Sequence, residues 1–269
     1  MTQDTFNLRL QTWKGWHFLA FLLGGIMLLL IYVPLASLAV LSFSENPLSG
    51  NPFPLSVENY RQLGNDAGWR APLWASVMLS LVVALFCMVV GAAVGRGITR
   101  LRKPGLPLLI TMLPLFVPGL TMGAALFILL NTVAGLPLGF WSIFIAQLLW
   151  ALPFAILLVA IIASRLDLRL LEAAEDLGAP PWRRFIDIEL PLLMPGISGA
   201  GIFGFLLSFN ELMRSLFVRG LQVTMPIYNW LMASAQQSQV PIIFSLSTLV
   251  MIIAFPVVGA FFLYMFRKR

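Results

Sequence analysis

Residues 172–191 read EAAEDLGAPPWRRFIDIELP, a charged island in an otherwise oily chain. Across 269 residues, 59% are hydrophobic and only 10% are charged. A soluble domain carries about 25% charged residues, and a surface this poor in charge would aggregate in water. Long uncharged apolar runs flank the island on both sides, so the chain reads as an all-α polytopic membrane protein. The island is the stretch suited to recognition by another protein rather than by lipid.

Six runs reach the roughly 20 residues that a bilayer crossing needs. They are Phe18–Ser42, Pro72–Gly95, Leu106–Leu130, Trp141–Ser164, Leu192–Phe217 and Ile242–Phe266. The first is too long for a signal-peptide core and has no convincing cleavage site after it, so it is expected to be a retained anchor. Basic residues then set the orientation. Most of the 17 sit at the N-terminus (Arg9, Lys14), in the second connection (Arg96, Arg100, Arg102, Lys103), in the fourth (Arg165, Arg169, Arg183, Arg184) and in the tail (Arg267, Lys268, Arg269). The opposite side keeps Arg61, Arg70, Arg214 and Arg219. The positive-inside rule therefore puts both termini and the island in the cytoplasm.

The same distribution excludes other classes. The net charge of +6 lies in short loops and is not interleaved with aromatics, so it orients the chain in lipid and does not point to nucleic acid. The single cysteine, Cys87, lies in an apolar run and forms no intrachain disulfide. The single histidine, His17, stands beside Trp13 and Trp16 as an interfacial cluster. Catalytic zinc and nucleophile triads need histidine or cysteine groups that this chain lacks. It also lacks a GxxxxGK[ST] loop, so any ATP chemistry belongs to a partner. No cofactor is expected here.

Inside the runs, Gly91/Gly95, Gly119/Gly123 and Gly196/Ala200/Gly204 place small residues on one helix face, where backbones approach closely. Such faces serve packing within the subunit or against a second membrane subunit. Pro34, Pro114, Pro118, Pro153 and Pro256 are expected to kink their spans. Glu211 and Arg214 are ionisable residues placed by the runs inside a span, near its outer end. Separated by three positions, they either pair with each other or, with Ser208 and Asn210, border a substrate path. The outer segment 43–71 is expected to form a loop and one short helix. No repeat relates the two halves.

The island itself, from Arg165, reads as two short helices. Leu170, Ala174 and Leu177 recur on one side of the first, opposite Arg169, Glu172, Glu175 and Asp176. Asp167 is its expected N-cap and Gly178 its left-handed stop. Pro180-Pro181 open the second, with Trp182, Phe185 and Ile186 opposite Arg183, Arg184 and Asp187, and Leu190-Pro191 end it. Pattern alone leaves a docking knob or an ordinary loop on the headgroups.

The order Glu172-Ala173-Ala174, Gly178, Ile188, Leu190, Pro191 resembles the EAA signature of permeases of bacterial ATP-binding-cassette (ABC) importers, position for position. The segment LLSFNELMRSLFVRG at 206–220 is similar to the second permease of spermidine/putrescine-type systems, with Asn210 where many relatives carry Asp and Arg214 where they are apolar. The resemblance implies a six-helix type I importer fold in one domain, 1–269, whose cytoplasmic loop 165–191 couples to ATPase subunits. By position, Glu172, Ala173, Ala174, Gly178, Trp182, Arg183, Ile188, Leu190 and Pro191 belong to that coupling loop. It further implies two ABC ATPase subunits that hold ATP and magnesium, a second permease forming a heterodimer, and a periplasmic substrate-binding protein. The location implied is the bacterial inner membrane. The cargo would be a small polar solute such as a polyamine, amino-acid derivative, opine or phosphonate. The chain itself would not be an enzyme. A self-sufficient channel or ion-coupled carrier is the competing class, and it would call for inverted repeats and a charged site at mid-depth.

Overall fold

The computed structural model describes the backbone of residues 3–235 and 239–267, with side chains for 17–235, 239–256, 258–259 and 263. The side chains of Arg9, Trp13, Lys14, Trp16 and Arg267, and all of Lys268 and Arg269, lie outside the described residues. Packing divides the chain into two units, Met1–Asp66 with Met232–Arg269, and Ala67–Leu231.

In the first unit, α1 (Gln3–Leu41) carries the first run, and Pro34 lies inside it without ending it. Segment 43–71 folds as expected into a loop, with a short 3-10 turn at Pro47–Ser49, and one helix, α2 (Glu58–Asn65). Buried Asn59 explains how that loop is held: its amide donates to the carbonyls of Ser42 (3.2 Å) and Ser44 (2.9 Å), left free where α1 ends. Tyr60 joins Ser42 at 2.7 Å, and Ser245 donates to the Ser42 carbonyl at 3.2 Å.

The second unit is built on three helices. α3 (Arg70–Thr99) is followed by α4 (Gly105–Met112), α5 (Gly119–Phe127) and α6 (Phe140–Ala163). The charged island contributes α7 (Arg169–Asp176) and α8 (Pro181–Arg183), and α9 (Leu190–Phe209) carries the fifth run. Two short helices follow, α10 (Ser215–Val218) and α11 (Met225–Ala235). The chain closes with α12 (Val240–Arg267), which contains Pro256 and returns to the first unit.

α3, α6 and α9 pack on one another around Val83, Cys87, Ala155, Val159, Leu193 and Ala200. Lipid tails are as apolar as leucine, so close backbone approach rather than water expulsion holds such helices together. The small residues supply it. A Cβ on Gly95 would stand 2.8 Å from the Ile156 carbonyl, one on Gly196 3.0 Å from Ile162, and one on Gly204 2.9 Å from Cys87. The small-residue faces are thus consumed within the subunit.

Among the described residues four single helices are long and apolar enough to span: His17–Leu41, Arg70–Thr99, Phe140–Ala163 and Pro181–Phe209. Val240–Pro256 is a shorter apolar stretch among the described residues. The third run departs from the expected straight span. Pro118 drives Val117 into an extended conformation (ψ 125°), and Gly105–Phe116 meets Gly119–Val133 at 90°. Pro153, by contrast, sits within a continuous α6.

The fifth run also differs from Leu192–Phe217. Its helix stops at Phe209, because the Glu211 carboxylate takes the Arg214 backbone N–H at 2.8 Å and caps a new turn there. Glu211 and Arg214 therefore lie in a break and not along the helix. At its other end the run begins earlier than expected. The second island helix does not end at Leu190-Pro191 but continues through a π turn, Arg184–Glu189, into α9. Pro191 lacks a helical N–H, and the wider turn just before it, with Leu190 N–H bonded to the Phe185 carbonyl, leaves room for its ring.

Candidate functional site

The charged segment 165–191 is shaped by a few local choices. Asp167 accepts the Arg169 N–H at 3.0 Å and starts α7 from one position before its cap residue, Leu168. At the other end Gly178 takes φ +79°, its N–H bonds the Glu175 carbonyl at 2.8 Å, and Ala179 N–H reaches Ala174 at 2.9 Å. This reciprocal pair closes the helix and turns the chain sharply. A Cβ on Gly178 would meet nothing within 4 Å, so the turn needs glycine for its backbone and not for space. Pro180 is extended and Pro181 opens the second limb. An ion pair from Arg184 to Glu175 ties the two limbs together.

The side of α7 that carries Leu170, Ala174 and Leu177 is not uniformly covered. Leu170 and Leu177 point outward, Leu177 being 88% exposed, while Leu171 and Ala174 are the half-covered positions. In the second limb Trp182 (59%) and Ile186 are exposed as well, with the Arg183 guanidinium 5.4 Å over the Trp182 ring. Glu172, Ala173, Gly178, Trp182 and Arg183 thus share an exposed knob that mixes apolar and charged groups. Ile188 and Leu190 are half-covered, Leu190 packing on the three-helix core, and Pro191 is exposed. The matched residues divide between a surface and an anchor.

Sequence reasoning missed Glu189. It is 3% exposed, with Oε1 accepting from Arg96 Nε (2.5 Å) and Arg100 Nη2 (2.6 Å) and Oε2 from Arg96 Nη2 (2.7 Å). Arg96 and Arg100 stand one helical turn apart at the end of α3, a spacing that presents a two-pronged cation. That spacing, and an acid directly before Leu-Pro, were the available signals. A groove of about 430 Å³ lies beside them, lined in part by Leu171, Glu172, Glu175 and Arg184.

At the other end of the bundle, Glu211 (6% exposed) and Arg214 (7%) are joined at 2.8 Å, and the Arg214 guanidinium lies 4.2 Å over Trp150. Gly119 and Gly123 make room for this segment: a Cβ there would approach Arg214 Nη1 to 3.1 Å and the Arg214 carbonyl to 2.8 Å. Ser208 turns into the bundle, donating to Gln147 Oε1 at 2.6 Å and lying 3.0 Å from Ser80, while Gln147 donates to Ser215 at 3.3 Å. Asn210 alone of the four path candidates is exposed, its amide donating to Leu206 at 3.0 Å. Among the described residues no three metal-ligating side chains come together.

Comparison with known proteins adds to this geometry. The family described as "binding-protein-dependent transport system inner membrane component" matches residues 89–269. The chain is 30% identical over 202 residues to the spermidine/putrescine transport system permease protein PotC of Escherichia coli (strain K12), covering 73% of this chain and 76% of that one. It is 31% identical over 215 residues to the spermidine/putrescine transport system permease protein PotB of Haemophilus influenzae, covering 72% and 73%. In fold it is similar to a chain of a bacterial ABC transporter involved in the import of the acidic polysaccharide alginate. The TM-score is 0.60 over 93% of this chain and 97% of that chain, at 15% identity. At that identity the likeness is one of fold.

Proposed function

Because the chain belongs to the family of binding-protein-dependent transport system inner membrane components, we propose that it lines the path of an ABC importer and is driven through segment 165–191. It is a multi-pass inner-membrane permease whose relatives are transport proteins. In our reading all of 1–269 works as one permease domain with both termini cytoplasmic. Two ATPase subunits, which hold ATP and magnesium, drive the importer, and the knob docks in a groove of one of them. A second, distinct permease completes the path and a periplasmic binding protein delivers cargo.

The observation that carries this reading is the braced knob. Glu172, Ala173, Gly178, Trp182 and Arg183 stand exposed on two limbs tied by the Arg184–Glu175 pair. Exposed Leu177 and Trp182 are costly in water and gain by burial in a partner's groove. A rigid knob passes on a displacement that a loose loop would absorb.

The cargo is a small polar solute. A polyamine, as in the names of the relatives, is one member of that class, with amino-acid derivatives, opines and phosphonates. The pairing of Glu211 with Arg214 and the amide at Asn210 favour a cargo other than a bare polycation, since the break after α9 offers no unpaired carboxylate. Ser208, Glu211 and Arg214 then shape the path, and Asn210 faces the solute.

The test is capture of the ATPase encoded with this chain after detergent extraction. Glu172→Lys and Gly178→Asp should each lower the retained ATPase about tenfold, equivalent to about 1.4 kcal/mol of affinity, with membrane insertion unchanged. Undiminished capture in both variants would remove the docking role from this segment.

A further inference from the structure

We infer that Glu189 is a positioning residue of the transport cycle: with Arg96 and Arg100 it fastens α3 to the base of α9, so that the docked knob and both helices move as one body. The inference rests on the docking role proposed above.

The path of force through the backbone alone is poor. Between the knob and α9 the chain passes through the π turn Arg184–Glu189, a wide turn of the kind at which helices bend. A push on Trp182 would be taken up there. Side chains cross-brace that weak point on both sides. Arg184 ties the turn back to Glu175 of α7. Phe185, in the same turn, lies 5.0 Å from the Arg96 guanidinium. Glu189 closes the turn, and both its oxygens are taken by arginines of α3 more than eighty residues away.

The asymmetry of exposure shows which partner is the anchor. Glu189 is 4% exposed in its side chain, whereas Arg96 and Arg100 are 32% and 44% exposed. The arginines keep water as an alternative partner and Glu189 does not. A covered carboxylate without them would be driven to move, so it holds its place only while α3 stays beside it. α3 in turn packs on α6 and α9 through Gly91, Gly95 and Gly204, so a displacement that reaches it reaches the bundle.

The experiment uses the assembled importer in proteoliposomes. Glu189→Gln, and separately Arg96→Gln with Arg100→Gln, should keep ATP hydrolysis within about twofold of the native rate while solute moved per ATP falls about tenfold, a typical coupling factor. A merely structural brace would instead lower assembled protein, hydrolysis and uptake together, and that result overturns the inference. So does an unchanged solute-to-ATP ratio. A second measurement needs no change to the clamp. In a Cys87→Ala background, spin labels at Leu101→Cys and Leu170→Cys, both exposed positions outside the docking residues named above, should keep one separation in the ATP-free and ATP-trapped states. A shift in that separation with the ATPase still captured sinks the clamp alone. Failure of the native chain to retain the ATPase sinks the docking reading beneath it.

Discussion

Arg214→Met is expected to destabilise the permease by about 3–5 kcal/mol, the cost of breaking a buried ion pair from one side. The guanidinium is held by Glu211 at 2.8 Å and covers Trp150 at 4.2 Å, and both charges are more than nine-tenths covered. Methionine fills much of the volume but leaves the Glu211 carboxylate with the Arg214 backbone N–H as its remaining described donor. Glu211→Gln should cost a similar amount, because arginine cannot shed its charge. The double variant should recover most of the loss, to within about 2 kcal/mol of native, since well-packed neutral groups replace buried pairs at little cost. Thermal unfolding of the purified protein in detergent gives all four corners of the cycle. Single losses below about 1 kcal/mol would mean that the pair is hydrated and belongs to an open path.

The second large effect is expected at Gly95. Its missing Cβ would lie 2.8 Å from the Ile156 carbonyl, 2.9 Å from Val159 Cβ and 3.0 Å from the Ala160 nitrogen. Two of these are backbone atoms of α6, which cannot swing aside as a side-chain tip would. Gly95→Leu therefore has to pry α3 from α6, at the upper end of the roughly 1–3 kcal/mol that overpacking costs, or beyond it. Gly97, two residues on, meets nothing within 4 Å. Gly97→Leu should be neutral or stabilising by up to about 1 kcal/mol, because it removes a glycine from a helix interior. Melting temperature and yield of monodisperse protein compare the pair. Equal behaviour of the two variants would contradict the close-packing account.

Much of this was legible in the chain because it depends on local pattern. Apolar length marked the helices, and Gly178 announced its turn through the residues around it. What stayed hidden depends on distant neighbours. Glu189 looks like one more charge until the fold brings α3 beside it. Gly119 and Gly123 read as a helix-packing face, yet they receive the Arg214 segment, which sequence spacing cannot reveal. The breaks at Val117–Pro118 and Glu211 were obscured for another reason. A run of apolar residues keeps its hydropathy across a bend, so composition sees one span where hydrogen bonding and proline make two pieces. The π turn before Pro191 is of the same kind: the motif suggested an end, and a wider helical turn carries the chain through.

The central claim is that this chain provides a path and borrows its power at 165–191. Proteoliposomes holding the chain with its partner permease, with and without the ATPase, test it most directly, with binding protein and its captured solute outside. The account predicts accumulation against a gradient only when the ATPase and internal ATP are both present. It also predicts that Gly178→Asp abolishes accumulation while insertion stays normal. Solute flux through vesicles that lack the ATPase, down its own gradient or driven by an ion gradient, would contradict it and make the chain a channel or carrier in its own right.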